Sequence, residues 1–236
     1  MNEMEPRVRA PMSSSLLVGA VSLITLGWSG QCESDRIESS TDVSTRDMRI
    51  VASVDDDGSA ARIRVAVLGP TGEVSLGEDD ELRLEAAGES VGLVLVDGDR
   101  PAYTAVSGSG VGDYTLSLER TDDASLLGLL IGVPPPFTLS ASGTMAEPLQ
   151  LGWDAGEGSY TTVVEVSGDC IRPLFRELSV DTGAYSIATA ELSNLPGQLG
   201  VMCALEVSLT RRVTGESGPL SATATQKRTL VVDWTG

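Results

Sequence analysis

The sequence predicts an all-β protein in which two tandem antiparallel β-sandwich domains follow an N-terminal signal helix. Apolar residues alternate with polar ones over many short segments, and this period of two is typical of half-buried strands. Turns rich in Gly, Asp and Pro separate these segments throughout the 236-residue chain. The N-terminus differs from the rest, because residues 16–27 form an uncharged apolar run.

The first 31 residues have the order of a secretory signal. Two arginines precede the apolar run over residues 16–27, and the small residues Ser29 and Gly30 follow it. The run is twelve residues long, whereas a membrane-spanning helix needs roughly 20. We therefore predict a signal peptide over residues 1–31 and an exported mature chain without a permanent transmembrane anchor.

Cys32 follows this signal directly. A cysteine after an apolar run and small residues resembles the lipobox of bacterial lipoproteins, a family in which the cysteine is acylated and becomes the new N-terminus. Gln31 stands where the family prefers Gly or Ala. The alternative is cleavage by ordinary signal peptidase near Ser29 or Gly30, with Cys32 left as a free thiol. The resemblance implies lipidation at Cys32, a membrane as partner and a place in the bacterial envelope. In that family an aspartate after the cysteine often causes retention in the inner membrane, and here Glu33 stands at that position. In a host with two membranes, the resemblance therefore implies the outer membrane.

Charge and composition exclude several classes of function. Acidic residues outnumber basic ones by 34 to 16, and the net charge is −18 at pH 7. Removing residues 1–31 takes two of each sign, leaves 32 against 14 and keeps the difference at −18. Such a chain repels nucleic acid, so we expect no nucleic-acid partner. The chain has no histidine, the most common general base and metal ligand near neutral pH. A Ser-His-Asp site, a Cys-His site and a histidine-ligated zinc are therefore excluded.

The first predicted domain covers residues 47–133. Residues 32–46 lack apolar periodicity, which favours a flexible tether. Alternating residues then share one face of each of two strands: Met48, Ile50, Ala52 and Val54, followed by Ala61, Ile63, Val65 and Val67. The Asp-Gly pair at 57–58 predicts a hairpin between these strands. The most apolar stretch of the mature chain, residues 126–133, is interpreted as the closing strand.

The second predicted domain covers residues 134–236. It begins with three prolines, 134–136, which indicate a stiff linker. Its clearest strand is residues 201–209, whose odd positions are all apolar. Seven or so short strands in about 100 residues, with turn signals between them, predict a β-sandwich.

Three short segments give both domains a family resemblance. Trp153 stands near the expected second strand of the second domain, and residues 183–185 (GAY) lead into a later strand. In the first domain, residues 112–116 (GDYTL) look like the entry to a late strand. These segments resemble immunoglobulin-like and fibronectin type III domains. The whole arrangement of signal, tether and two sandwiches resembles bacterial lipoproteins of unassigned function, and a fold likeness alone does not supply one.

Cys170 and Cys203 are predicted to form a disulfide. An exported chain meets an oxidising compartment, and these two cysteines remain once Cys32 is set aside. A bridge closing a loop of about 34 residues stabilises by roughly 3–4 kcal/mol. The alternative is two buried free thiols. In a fibronectin-like topology the two cysteines would lie on neighbouring strands of one sheet.

Three short strings match catalytic motifs but are better explained as turns. Residues 88–92 (GESVG) fit the hydrolase nucleophile elbow, which needs a histidine and a following helix. Residues 181–183 (DTG) match the aspartic-protease tripeptide, yet the chain has no second copy. Residues 108–112 (GSGVG) precede a strand, not a phosphate-binding helix. The acidic runs 55–57 and 78–81 offer oxygen ligands for calcium, but we interpret them as solvated turns.

We therefore predict no catalytic residues, no cofactor and no metal. The predicted function is a non-enzymatic, structural or adhesion-type binding module, presented on the cell surface or in the periplasm, with a protein or polysaccharide ligand. The alternative is a hydrolase that uses carboxylates alone, of the glycosidase kind.

Overall fold

The computed structural model describes residues 37–96, 101–195 and 202–234, all within one compact unit. This described part contains seventeen strands and three short 3-10 turns, and it has no α-helix. The all-β prediction is confirmed. No helix in the described part is long and apolar enough to cross a membrane. The predicted signal peptide, its helix and Cys32 lie outside the described residues.

The first half of the chain supplies ten strands. They are β1 (Glu38–Ser39), β2 (Arg49–Asp56), β3 (Ala60–Leu68), β4 (Val74–Ser75), β5 (Glu81–Ala86), β6 (Glu89–Val91), β7 (Val94–Val96), β8 (Ala102–Gly108), β9 (Tyr114–Glu119) and β10 (Leu126–Ile131). Two 3-10 turns, Ser40–Asp42 and Thr45–Asp47, lie between β1 and β2.

The second half supplies seven strands. They are β11 (Leu139–Thr144), β12 (Glu147–Trp153), β13 (Thr161–Gly168), β14 (Leu174–Leu178), β15 (Ala184–Ile187), β16 (Cys203–Ser217) and β17 (Leu220–Trp234). The third 3-10 turn, Thr189–Glu191, follows β15. The short strand β14 pairs antiparallel with β13.

These strands form four sheets. The largest has eight strands in the order β14-β13-β16-β17-β2-β3-β8-β7. A four-stranded sheet has the order β10-β9-β5-β6, a three-stranded sheet the order β11-β12-β15, and β1 pairs with β4. Neighbouring strands are antiparallel except for the parallel pairs β17–β2 and β1–β4. The eight-stranded sheet thus takes strands from both halves of the chain.

The hairpin predicted between β2 and β3 is confirmed. Its strands pair antiparallel, and the residues that alternate on one face are almost fully buried. Gly58 has φ +92°, a left-handed conformation that glycine adopts without a side-chain clash. Asp57 Oδ1 accepts hydrogen bonds from the backbone N–H groups of Ser59 (2.9 Å) and Ala60 (3.1 Å). The turn chemistry and the apolar alternation therefore specify the same register.

The hairpin of β16 and β17 joins the two halves. Its strands pair along their whole length, from Cys203 opposite Trp234 to Ser217 opposite Leu220. Residues 220–226 of β17 also pair in parallel with residues 50–56 of β2. A strand that the sequence assigns to the second domain is therefore hydrogen-bonded to the first strand of the first domain.

Two apolar cores lie against the eight-stranded sheet. The first combines buried residues of β2, β3 and the four-stranded sheet with three residues of β17: Leu220, Ala222 and Ala224. The second combines residues of the three-stranded sheet with β13, β16 and the end of β17, including Val207, Leu209, Val232 and Trp234. The buried residues of β17 have even numbers in both cores, so both cores contact the same face of this sheet. The burial of each aliphatic side chain stabilises the folded state by about 1.5–3 kcal/mol.

Residues 38–47 pack against the first core, although the sequence predicts residues 32–46 to be a flexible tether. Ser40, Val43 and Thr45 are buried, and Met48 is 1% exposed. The segment is polar, so the alternation of apolar residues does not reveal it. Its polar groups form hydrogen bonds with Gly77, Arg120 and Asp123. We call residues 38–47 the strap.

Candidate functional site

Cys170 and Cys203 lie at disulfide distance, with Cα atoms 6.1 Å apart. Cys170 follows β13 and Cys203 begins β16, two neighbouring strands in which Gly168 pairs with Leu205. The structure thus brings the two predicted partners together at one end of the second core. Cys170 is 1% exposed, whereas Cys203 is half-buried.

The string GESVG forms the hairpin between β5 and β6. Ala87 and Gly88 both have positive φ, +52° and +81°, as a two-residue turn of the I′ type requires. Ser90 lies exposed on β6 and no helix follows it. This geometry agrees with the interpretation of the string as a turn.

The string DTG places Asp181 in a buried ion pair. Its Oδ2 atom accepts a 2.8 Å hydrogen bond from Arg211 Nε, and its Oδ1 atom accepts one of 2.5 Å from Trp153 Nε1. The two charged side chains are 7% and 1% exposed. Burial raises the pKa of Asp181, but the bonds from Trp153 and Arg211 and the arginine charge lower it more, so its pKa lies below the ordinary value.

Arg211 also fixes the linker between the two halves. Its guanidinium donates to the backbone carbonyls of Pro135 (3.1 Å) and Asp154. The guanidinium also stacks on the rings of Phe137 and Tyr160, and its Cζ atom lies 4.6 and 5.1 Å from the two ring centroids. The triproline segment is therefore bonded to β16 in the described structure.

The string GSGVG surrounds a second buried carboxylate, Asp56. Its oxygens accept hydrogen bonds from Ser109 Oγ (2.7 Å) and from the N–H groups of Gly110 (2.7 Å) and Gly58 (2.7 Å). Gln226 Nε2 (3.1 Å) and Arg228 (3.2 Å) donate from β17. Burial raises the pKa of Asp56, but the bonds from Gly110, Ser109 and Gly58 and the charge of Arg228 lower it more.

These two clusters meet between the apolar cores. Arg211 and Gln226 are register partners in the hairpin of β16 and β17, and both are 0% exposed. Arg211 bonds toward the second core through Asp181, whereas Gln226 bonds toward the first through Asp56. We call these four residues and Arg228 the polar junction. It forms a buried polar layer that separates the two cores on one sheet.

A third buried arginine, Arg120, holds the strap. Its guanidinium donates to the carbonyls of Ser40 and Val43 (2.8 Å) and to Thr45 Oγ1 (2.9 Å). Its side chain is 3% exposed, and its Nε atom lies 3.5 Å from Asp80 Oδ2. Asp80 belongs to the acidic run 78–81, so part of that run balances a buried cation.

Asp123 completes the attachment of the strap. Its Oδ2 atom accepts hydrogen bonds from Thr45 N–H (2.7 Å) and Ser44 Oγ (3.2 Å). The bonds from the N–H groups of Thr45 and Ala124 lower the pKa of Asp123 to about 2. Within the described residues, no group of three or more Asp, Glu or Cys side chains converges as a metal ion would require.

A cleft of about 1070 Å³ lies between the end of the strap, β2, β3 and the tip of the last hairpin. Its walls include apolar Leu68, Leu126 and Leu220 beside charged Arg49 and Glu216. The lining therefore combines apolar surface with charges of both signs.

Sequence reasoning missed the polar junction and the arginine of the strap. The signal for two of these residues was nevertheless present. Arg211 continues the inward odd positions 205, 207 and 209 of β16, and Gln226 continues the inward even positions 220, 222 and 224 of β17. A polar residue at an inward position must find a partner. No comparable pattern marks Arg120, which follows the end of β9.

Comparison with known proteins adds no identification. No protein-family model and no curated protein matches this chain.

Proposed function

We propose that this protein is a lipid-anchored, non-enzymatic binding module of the bacterial envelope, built from two fused sandwiches of the immunoglobulin and fibronectin type III kind. Strand order supports the fold assignment. In the first half, β2-β3-β8-β7 and β6-β5-β9-β10 correspond to the ABED and C′CFG sheets of such domains. In the second half, β11-β12-β15 and β14-β13-β16-β17 correspond to ABE and C′CFG. This correspondence in strand order supports the proposed fold of both halves.

The observation that carries the non-enzymatic proposal is the state of the buried carboxylates. Asp56 and Asp181 are each bonded to an arginine and to further N–H or O–H donors. Their lowered pKa values keep them ionised near neutral pH, which makes them poor general acids and weak bases. Ser109 donates to Asp56, but a carboxylate of lowered pKa does not activate a hydroxyl group effectively. These groups hold the fold together, so the carboxylate hydrolase gains no support from them.

The surface for binding is the outer face of the eight-stranded sheet. Both cores contact its inner face, and within the described residues no other sheet covers the outer one. This face carries exposed apolar side chains, among them Val106 (70% exposed) and Val231 (66% exposed). Arg64 lies on β3 at an exposed position of the same face. A broad face with scattered apolar and charged groups fits a protein or polysaccharide ligand better than a small molecule.

Binding and hydrolysis assays on the chain from Cys32 onward test this proposal. We expect this chain to bind immobilised envelope polysaccharides or envelope proteins and to release no product from chromogenic glycosides. Val106→Glu should weaken the binding at least tenfold. Leu127→Glu is the matched control, because Leu127 is 65% exposed but lies on the four-stranded sheet. Product release that disappears on replacing a single carboxylate would overturn the proposal in favour of a hydrolase.

A further inference from the structure

Mainly polar contacts attach the strap to the described residues from 48 onward, which we call the body. Val43 is the one large apolar side chain that is buried within residues 38–47. The remaining contacts are polar. Arg120 donates hydrogen bonds to two carbonyls and a hydroxyl of the strap, and Asp123 accepts them from Thr45 and Ser44. Gly77 N–H donates to Ser40 Oγ (2.8 Å), and Thr71 Oγ1 donates to Glu38 Oε1 (2.6 Å). At its start, Glu38 N–H donates to Glu73 O (2.8 Å) where β1 pairs with β4. The strap thus has few apolar contacts, and the chain joins it to the body at one end only. Both features favour local unfolding of the strap while the body stays folded.

We propose that the strap is a releasable latch that sets how far the body stands from its anchored N-terminus. This inference rests on the proposed anchoring at Cys32. With the strap closed, residues 33–37 connect Cys32 to the body, and these five residues reach at most about 17 Å. With it open, residues 33–47 form the connection, and these fifteen residues reach up to about 50 Å.

The same movement changes the cleft. Thr45, Arg46 and Asp47 form part of its wall, so release of the strap removes that wall. Tension on the anchor pulls first on the strap, because the strap lies between Cys32 and the body. The latch therefore couples the distance from the membrane to the shape of the cleft.

Amide hydrogen exchange, read by mass spectrometry on the chain from Cys32 onward, tests the latch. In the wild type, peptides from the strap should be protected, yet exchange faster than those from β16 and β17. Arg120→Gln should accelerate exchange of the strap at least tenfold and leave β16 and β17 within twofold. Arg83→Gln is the matched control, because Arg83 is an ion-paired arginine on β5, the strand that pairs with β9, but is 47% exposed. This substitution should change the exchange of neither region.

If Arg120→Gln does not fold, Asp123→Ala decides, because its side chain is 34% exposed and bonds the strap directly. Exchange of strap and body in one common event, or unchanged exchange of the strap in the folded variant, would overturn the latch. Neither result depends on whether a cell acylates Cys32. The reach is measured separately, by coupling Cys32 to maleimide lipid in a supported bilayer and determining the gap between headgroups and protein by neutron reflectometry. The gap should widen in the variant, and an unchanged gap would contradict the proposed extension.

Discussion

Replacing Arg211 by methionine should strongly destabilise the folded chain. Methionine keeps much of the length of the side chain but removes its charge and its donors. Asp181 would then be a buried carboxylate without its cation, and the carbonyls of Pro135 and Asp154 would lose a donor. Breaking a buried ion pair by removing one partner costs about 3–5 kcal/mol. For a unit of this size, that loss lowers the melting temperature by roughly 6–20 °C.

The assay is urea unfolding followed by tryptophan fluorescence and far-ultraviolet circular dichroism. Trp153 and Trp234 both lie in the second core, so their emission reports on that core. Arg212→Met is the matched control, since Arg212 is the next residue of β16 and its side chain is exposed; it should change the free energy of unfolding by less than about 0.5 kcal/mol. The double variant Arg211→Met with Asp181→Leu should recover part of the loss, because no unpaired charge remains buried. A loss below about 1 kcal/mol for Arg211→Met would refute the stabilising role of the polar junction.

Three further predictions concern the stability of the two cores and of the polar junction. Reduction of the Cys170–Cys203 pair should lower the free energy of unfolding by roughly 3–4 kcal/mol. Tyrosine and tryptophan signals should shift together, because the hairpin of β16 and β17 contributes residues to both cores. A shift in tryptophan emission alone would contradict this. Ala224→Asp should destabilise the first core by several kcal/mol, because Ala224 is 0% exposed and the new charge would be buried. Thr229→Asp, at an exposed position of the same strand, should leave the melting temperature nearly unchanged. The folded-state pKa of Asp56 lies below the ordinary value of an aspartate, because the hydrogen bonds from Gly110, Ser109 and Gly58 and the charge of Arg228 outweigh the effect of burial. The stability that this carboxylate contributes is therefore present above about pH 4 and is lost as pH falls. Asp56→Asn should flatten the acid limb of a stability–pH curve, and an unchanged limb would show that Asp56 is not responsible.

The strands were predictable where one face of a segment is buried. Alternation located β2, β3 and the first part of β16, and the Asp-Gly pair located the turn between β2 and β3. The apolar stretch at residues 126–133 is also a strand, β10. However, Leu127 and Leu130 on this edge strand are 65% and 58% exposed. Hydrophobicity alone did not reveal which face it turns to solvent.

Long-range pairing was not predictable. The parallel contact of β17 with β2 joins residues about 170 positions apart, such as Gln226 and Asp56. Local periodicity carries no information about such a partner. The strap escaped prediction for a different reason, because its buried groups are polar and are satisfied by Arg120, which lies 75 or more residues further along the chain. Buried polar networks of this kind resemble solvated loops in the sequence.

The central claim, that the protein is presented on a membrane through Cys32, is tested most directly by the intact mass of the exported full-length protein. We expect membranes of an expressing bacterium to yield a chain that begins at Cys32 and carries fatty acyl groups. Cys32→Ala should abolish the acyl mass and block processing or release the protein, while Cys170→Ala with Cys203→Ala should leave the acyl mass unchanged. A soluble wild-type chain that begins at Gln31 or earlier, with a free thiol at Cys32, would contradict the account.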